Sequence, residues 1–233
     1  MSHALLRHAT EISDAATLRL YRPAEVVAFG KRDAVSPGFQ AAVRSARESG
    51  YESVIRLAGG RAAVFHRDTI AFGWTMPISD PRTGITARFQ QLSELLAGTF
   101  RDLGADARIG EVPGEYCPGE FSINLGGSAK VMGVGQRLIA GAAHVGGVIV
   151  VDGGPRIADV LVPVYRNLGL DWNPHTSGDL RSAIPGLTWE TTRDAVLSAF
   201  AGLTEIEFKP LPAGILERAA ELEPQHAVAI TEG

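Results

Sequence analysis

Apolar residues recur along this chain in two kinds of pattern. Short alternating or apolar runs predict strands over residues 17–21, 25–29, 53–57, 63–66, 69–75 and 143–151, with a late edge strand at 205–208. Spacing of three to four residues predicts amphipathic helices over residues 38–49, 86–103, 188–203 and 213–222, with Thr188 as the N-cap of the third. Residues 157–168 look helical at both ends, but Pro163 predicts a break or kink between them.

Two more strands are predicted on either side of Gly126 and Gly127, in the segments FSIN and AKVMGV. A glycine pair between alternating segments is typical of a β-hairpin. Such a hairpin carries Lys130 on a rigid strand and leaves Cys117 on the Pro/Gly-rich loop that precedes it. We therefore expect the thiol and the ammonium group to belong to one site.

The order of the predicted elements favours the α+β class. Strands and helices are interspersed, but several neighbouring strands are joined by short turns, which predicts a mixed, largely antiparallel sheet flanked by helices. A chain of 233 residues is long enough for a substantial core. We expect a single domain over residues 1–233, with its core at about 17–209 and a terminal helix and tail at 210–233.

Composition narrows the class of protein. With 45% hydrophobic and 21% charged residues the chain is not disordered, and a net charge of −4 gives no electrostatic reason to bind nucleic acid or a membrane. The chain contains one cysteine and no apolar stretch long enough to span a bilayer, so we expect a cytoplasmic protein without a disulfide. The histidines show no zinc-ligand spacing, so no metal site is expected, and nothing demands an oligomer.

Cys117 and Lys130 are the candidate catalytic residues. A lone cysteine is most often a buried structural residue, but Cys117 lies in the loop-like sequence PGEYCPG, where a thiol is accessible and Lys130 can favour the thiolate. Lys130 is one of only three lysines, and it lies between apolar residues. The alternative for Lys130 is a strand-edge lysine whose ammonium group reaches solvent.

A second candidate is the segment from Arg56 to Arg61, RLAGGR. The paired Gly59 and Gly60 let the backbone approach a ligand and expose N–H groups, and the two arginines can meet a carboxylate or phosphate. The alternative is a tight turn with two surface arginines. His66 and His144 lie on predicted strands, where histidine is more often a hydrogen-bonded core residue than a catalyst.

These motifs together resemble the lipoate-protein ligase A and octanoyltransferase superfamily. The segment 55–66, IRLAGGRAAVFH, resembles its arginine, Gly-Gly and Val-aromatic-His motif. The segments AKVMG at 129–133, Gln136-Arg137 and AHVG at 143–146 resemble its Lys-x-x-Gly, Gln-Arg and His-Gly signature. The resemblance covers residues 17–152 and implies the biotin/lipoate-ligase catalytic fold.

The resemblance also implies roles. Lys130 would be the active-site lysine that contacts the acyl carbonyl and, in ligases, the phosphate of the acyl-adenylate. The loop at Gly59 and Gly60 would wrap the acyl chain or the adenylate. The remaining substrate-binding residues implied are Arg56, Arg61, His66, Gly133, Gln136, His144 and Gly146.

The superfamily contains two chemistries, and both attach an octanoyl or lipoyl group to a lysine of a lipoyl domain. ATP-dependent ligases, which use ATP and Mg, activate lipoate as an adenylate; transferases form a cysteine thioester with octanoate taken from an acyl carrier protein. Cys117, thirteen residues before Lys130, resembles the cysteine of one transferase branch and favours that chemistry.

Either chemistry implies lipoyl domains of 2-oxoacid dehydrogenase or glycine cleavage complexes as acceptors, and no tightly bound cofactor is expected. A non-catalytic module that binds lipoate or lipoyl domains, and an enzyme that attaches biotin, are the remaining alternatives.

Overall fold

The computed structural model describes residues 1–11 and 15–229. Its strands are β1 (Thr17–Tyr21), β2 (Val26–Phe29), β3 (Glu52–Ile55), β4 (Ala63–Phe65), β5 (Thr69–Pro77), β6 (Ala107–Ile109), β7 (Ile123–Leu125), β8 (Ala129–Ile139) and β9 (Ala142–Val150). Its α-helices are α1 (Ser2–Glu11), α2 (Lys31–Ala34), α3 (Phe39–Glu48), α4 (Ile85–Asp102), α5 (Gly154–Leu168), α6 (Trp189–Ala201) and α7 (Ile215–Leu222).

The strands form two sheets. The larger has the order β1-β5-β9-β8-β7-β6, and each pair of neighbours is antiparallel. The smaller has the order β3-β2-β4, in which β2 is parallel to β3 and antiparallel to β4. The predicted α+β class with a mixed, largely antiparallel sheet is therefore confirmed. The predicted hairpin is confirmed as β7 and β8, whose turn places Gly126 and Gly127 at φ values of 59° and 80°.

Each sheet packs against helices through an apolar core of its own. Helix α4 buries Leu92, Leu96 and Phe100 against the larger sheet, as its spacing predicted, and α6 adds Val196 and Phe200. Helices α3 and α5 cover the smaller sheet through a second set of buried residues: Phe39, Ala42, Val43, Ala46, Ile157, Val160, Leu161 and Val164. The hairpin strands β7 and β8 lie in the larger sheet, so the backbone of Lys130 is held rigidly by its neighbouring strands.

Three local predictions were wrong or incomplete. Helix α5 runs through Pro163 without a break, because the burial of its apolar face outweighs the backbone hydrogen bond that proline removes. The segment 205–208 forms no strand, since it does not pair with either sheet, and it leaves Phe208 exposed. Strand β6 and helices α1 and α2 were not predicted, although α1 buries Ala4, Leu5, Leu6 and Ala9.

The centre of the larger sheet depends on small residues. Gly147 of β9 pairs with Val134 of β8. A Cβ atom at Gly147 would overlap the carbonyl oxygen of Gly133 and lie 2.8 Å from Cζ of Phe72. The Gly133 backbone and the Phe72 ring together leave no room for a side chain at this position, so glycine is required there.

We expect Gly147→Ala to lower the free energy of unfolding by about 1–3 kcal/mol, because overpacking a rigid sheet forces neighbouring strands apart. The matched control is Gly59→Ala, because a Cβ at Gly59 meets no atom within 4 Å. Urea denaturation of both variants measures the difference, and equal losses in the two would contradict this account of the sheet.

Candidate active site

The loop between β6 and β7 is folded around the buried carboxylate of Glu115. Oε1 of Glu115 accepts hydrogen bonds from Lys130 Nζ at 2.8 Å, Ser122 Oγ at 2.7 Å and the Gly119 amide at 3.2 Å. Oε2 accepts from the Val112 amide at 3.0 Å. The side chains of Glu115 and Lys130 are 0% and 2% exposed, so this is an ion pair without solvent contact. The carboxylate thus joins the loop to strand β8.

The ammonium group of Lys130 is fully engaged inside the protein. Besides the Glu115 carboxylate, Nζ donates to the carbonyl oxygens of Tyr116 at 3.1 Å and Cys117 at 2.8 Å. It also lies 5.0 Å from the centroid of the Tyr116 ring, within cation–π range. These three acceptors use all three N–H donors of an ammonium group. The alternative of a lysine that reaches solvent is therefore wrong, and in this arrangement no N–H of Lys130 is left for an acyl carbonyl.

Cys117 has a constrained backbone. Its φ of 43° is the only positive value among the non-glycine residues that the structure describes, and such angles are costly for residues with a Cβ atom. The surroundings hold it in place. Its amide donates to Tyr165 Oη at 2.9 Å, and that hydroxyl donates to the Ala62 carbonyl at 3.0 Å. With its carbonyl bound by Lys130, both peptide groups of Cys117 are fixed.

The sulfur atom of Cys117 accepts two hydrogen bonds. One comes from Nη2 of Arg56 and the other from the backbone amide of Arg61, each at 3.2 Å. Burial raises the pKa of the Cys117 thiol, but the Arg56 guanidinium, the Lys130 ammonium and the Arg61 amide together outweigh it, so the pKa lies below its ordinary value. The sequence predicted Lys130 as the cation that favours the thiolate, whereas the cation in contact with the sulfur is Arg56.

The Gly-Gly segment brings Arg56 and the sulfur together. Gly60 has a φ of 108°, and a Cβ atom there would overlap the Arg56 guanidinium and lie 2.8 Å from Cys117 Sγ. The side chain of Arg61 turns away and forms an ion pair with the fully buried Asp33 at 3.1 Å. Only the Arg61 amide therefore faces the sulfur, and the segment is not a surface turn with two free arginines.

A cavity of about 380 Å³ opens beside the thiol. It brings together eight of the residues singled out from the sequence: Arg56, Gly59, Gly60, Cys117, Lys130, Gly133, Gln136 and Gly146. The rest of its lining is largely apolar and includes Ala63, Phe65, Phe89, Val134, Leu138 and Val148. A reactive thiolate at the edge of an apolar cavity can take up the acyl group of a hydrophobic substrate.

Gln136 stabilises one wall of this cavity. Its Oε1 accepts a hydrogen bond from Arg88 Nε at 2.8 Å, and its Nε2 donates to the Ile85 carbonyl at 3.2 Å. Arg88 also donates to the carbonyl oxygens of Thr83 and Pro81. Gln136 therefore links strand β8 to the start of helix α4.

Neither of the two predicted histidines lines the cavity that contains Cys117. His66 is buried; its Nδ1 accepts from the Asp68 amide at 3.3 Å, and desolvation lowers its pKa. His144 bonds Thr75 Oγ1 through Nδ1 at 2.8 Å, and burial, followed by the Arg19 charge, lowers its pKa to about 4. His144 is therefore neutral at pH 7, and its ring faces a second cavity.

Three residues that shape the site were not singled out from the sequence: Asp33, Glu115 and Tyr165. Glu115 lies two residues before Cys117, so the motif around the cysteine contained it. Asp33 and Tyr165 are far from Cys117 in sequence, and no local pattern points to them. Within residues 1–11 and 15–229, no cluster of three His, Cys, Asp or Glu side chains is placed to hold a metal. No helix in the same ranges has the length and apolarity needed to cross a membrane.

Comparison with known proteins identifies the family. The model of the lipoyl protein ligase A/B catalytic domain matches residues 1–201. The chain belongs to this family. The resemblance seen in the Gly-Gly-Arg and Lys130 motifs is thereby confirmed.

Curated relatives carry the name octanoyl-[GcvH]:protein N-octanoyltransferase. The one from Exiguobacterium sp. is 31% identical over 130 residues, which cover 56% of this chain and 46% of the relative. The one from Geobacillus kaustophilus is 27% identical over 154 residues, covering 66% and 54%. The chain thus spans about half of the length of these relatives.

Solved structures confirm the fold of the lipoate-protein ligase family. Lipoate-protein ligase A bound with ATP superposes with a TM-score of 0.75 at 20% identity, covering 96% of this chain and 87% of the other. The bipartite lipoate protein ligase of Thermoplasma acidophilum, studied with its E2 lipoyl domain, gives a TM-score of 0.73 at 20% identity, covering 96% and 85%.

The contact between Arg56 and Cys117 generates a prediction about the thiol. In Arg56→Met the nearest cation is lost while burial remains, so the pKa of the thiol rises and alkylation of Cys117 shifts to higher pH. Arg67→Met is the control, because the Arg67 side chain is exposed and pairs with Glu25, so this variant should keep nearly the wild-type profile. The rate of iodoacetamide alkylation across pH measures both, and an unshifted profile in Arg56→Met would remove Arg56 from this role.

The buried ion pair generates a prediction about stability. Lys130→Met and Glu115→Gln should each lower the free energy of unfolding by about 3–5 kcal/mol, because each leaves a buried charge without its partner. The double variant carries neither charge and should recover much of the loss. Urea denaturation of the four proteins forms a double-mutant cycle, and losses that simply add would contradict a direct coupling.

Proposed function

We propose that this protein transfers an octanoyl group to a lysine of a lipoyl domain through a thioester on Cys117. The observation that carries the proposal is the position of Sγ, which accepts hydrogen bonds from Arg56 and the Arg61 amide at the edge of an apolar cavity. A thiolate favoured by two donors is a competent nucleophile at neutral pH. The names of the curated relatives support the same chemistry.

The transfer consists of two balanced steps. In the first, the Cys117 thiolate attacks the octanoyl carbonyl of the donor, a carbon–sulfur bond forms, and the donor group leaves. The leaving group is a thiolate if the donor is an acyl carrier protein, or an amine that takes up a proton if the donor is an octanoylated lysine of GcvH. In the second, the neutral amine of the acceptor lysine attacks the thioester, the carbon–sulfur bond breaks, an amide forms, the nitrogen gives up one proton to solvent, and the Cys117 thiolate is released.

Arg56 is the group best placed to stabilise the oxyanion that develops in both steps. Its Nη2 contacts the sulfur, and the residue lines the cavity beside the thiol. The N–H groups of Lys130 are already used. Donors fixed in position before the reaction stabilise such charge most effectively. In this proposal Lys130 positions the loop that carries Cys117 and favours the thiolate through its charge, and Arg56 donates to the substrate oxygen.

The alternative of an ATP-dependent lipoate ligase has the support of the ATP-bound structure with the same fold. A ligase must stabilise the phosphate charge of ATP, which is used together with Mg. It must also stabilise the phosphate charge of the adenylate. The two cations that line the cavity, Arg56 and Lys130, are engaged by Cys117 and by Glu115 in this structure. The backbone of Gly59 and Gly60 is the part of the site best suited to a phosphate. The position of the thiol therefore favours the transferase. The fold shared with the Thermoplasma ligase keeps the ligase as the second candidate.

The donor is an octanoylated carrier protein or GcvH, and the acceptors are lipoyl domains of 2-oxoacid dehydrogenase or glycine cleavage complexes. The domain acts as one unit over residues 1–233, as a cytoplasmic monomer without a tightly bound cofactor or metal. A purely binding module would not require the constrained backbone and paired donors at Cys117.

The test is acylation of a purified lipoyl domain, followed by intact mass, with three donors compared: octanoyl-carrier protein, octanoyl-GcvH, and octanoate or lipoate with ATP and Mg. We expect transfer from an acylated donor without ATP, and its loss in Cys117→Ser because an alcohol is a far weaker nucleophile at this pH. Cys117→Ser should keep the wild-type unfolding curve. ATP-dependent acylation that persists in Cys117→Ser would establish the ligase instead.

A further inference from the structure

A second cavity, of about 640 Å³, adjoins the one that contains the thiol. The two share four lining residues: Arg56, Phe65, Gly146 and Gly147. Two of these are glycines without side chains, so the boundary consists of strand backbone on one side and of two side chains on the other. A flexible chain attached to Cys117 is therefore separated from the second cavity by the side chains of Phe65 and Arg56.

The inner surface of the second cavity is suited to hydrocarbon. Its walls come from both sheets, with Val26, Ala28 and Val54 on the smaller one and Phe72 on the larger one. His144 also lines it as a neutral imidazole whose Nδ1 is occupied by Thr75. The lining also contains polar residues: Ser2, His3, Tyr21, Arg56, Glu223 and His226. The apolar walls are the part of this cavity that can bind an acyl chain, because they remove its methylene groups from water.

The outer wall is formed by helix α7 and Met1. Leu216, Ala219 and Leu222 of helix α7 line the cavity, together with Met1. Helix α7 packs on helix α1 through a small apolar cluster of Ala4, Leu5, Ile215 and Leu222. This cluster fixes the outer wall to the rest of the domain.

The segment after α7 is fastened close to the catalytic site. The Ile55 amide donates to the His226 carbonyl at 2.8 Å, and His226 Nδ1 lies 2.7 Å from the Ile55 carbonyl. Ile55 directly precedes Arg56, which contacts the sulfur. The distance from the thiol to helix α7 is therefore set by a short, hydrogen-bonded connection.

Helix α7 lies outside the part of the chain that defines the family. The family model matches residues 1–201, and α7 begins at Ile215. A wall outside the matched region can differ between members while the catalytic residues stay the same. Such a wall is a suitable place to set substrate preference.

We propose that the acyl chain of the Cys117 thioester extends past Phe65 into the second cavity, and that helix α7 is the end wall that limits its length. The inference rests on the proposed function for the thioester itself. Ala219 and Leu222 are then the residues that determine which saturated acyl chains fit. Each buried methylene contributes about fourfold to affinity, so loss of room for one methylene is measurable.

The experiment is calorimetric binding of hexanoate, octanoate and decanoate to the full chain and its variants. Ala219→Leu fills part of the cavity and should weaken decanoate relative to hexanoate by about fourfold or more. Leu222→Ala enlarges the cavity and should shift the preference toward decanoate. Controls are Ala219→Ser, which hardly changes volume, and Ala201→Leu, which adds the same group at an exposed position of α6; both should keep the wild-type order.

Loading of Cys117 from S-acyl N-acetylcysteamine thioesters of the same chain lengths, read by intact mass, separates the two proposals. A shifted binding order without loading would support the end wall and contradict the thioester. Loading with the same chain-length order in wild type, Ala219→Leu and Leu222→Ala would contradict the end wall and support the thioester. Absence of fatty-acid binding to the wild-type protein would overturn the role of the second cavity.

Discussion

The candidate site depends on one buried ion pair, between Glu115 and Lys130. An unpaired charge without solvent contact is strongly unfavourable, so each partner requires the other. The carboxylate gathers the amide and hydroxyl donors of the loop, and the ammonium group binds the carbonyls of Tyr116 and Cys117. The pair therefore fixes a loop rich in proline and glycine, which would otherwise have many conformations, onto strand β8.

The thiol is activated at the point where this loop meets a second one. The left-handed backbone of Cys117 directs its sulfur to the Arg56 guanidinium and the Arg61 amide. Gly60 is required there because any side chain would occupy the place of the guanidinium. Tyr165 of helix α5 holds the Cys117 amide from a third direction. Burial disfavours the thiolate and the two nearby cations favour it, and the balance leaves the pKa of the thiol below its ordinary value.

The features that were predicted correctly from the sequence are those that depend on local patterns of residues. Alternation around Gly126 and Gly127 predicted the hairpin that carries Lys130, and the motif of paired glycines predicted that the backbone at Gly59 and Gly60 lines the cavity. The sequence could not predict that Arg56, 61 residues before Cys117, would be the cation at the sulfur, because that contact depends on how two sheets meet. The same reason explains why Tyr165 was missed and why a break or kink was expected at Pro163, although tertiary packing keeps the helix continuous.

The central claim is that Cys117 carries the acyl group, and the most direct measurement is the intact mass of the protein after incubation with an octanoyl donor alone, without acceptor and without ATP. The account predicts a mass gain of one octanoyl group, located on the peptide that contains Cys117 and released by neutral hydroxylamine, as expected for a thioester. A protein of unchanged mass under these conditions, which transfers the acyl group only when ATP is added, would contradict it.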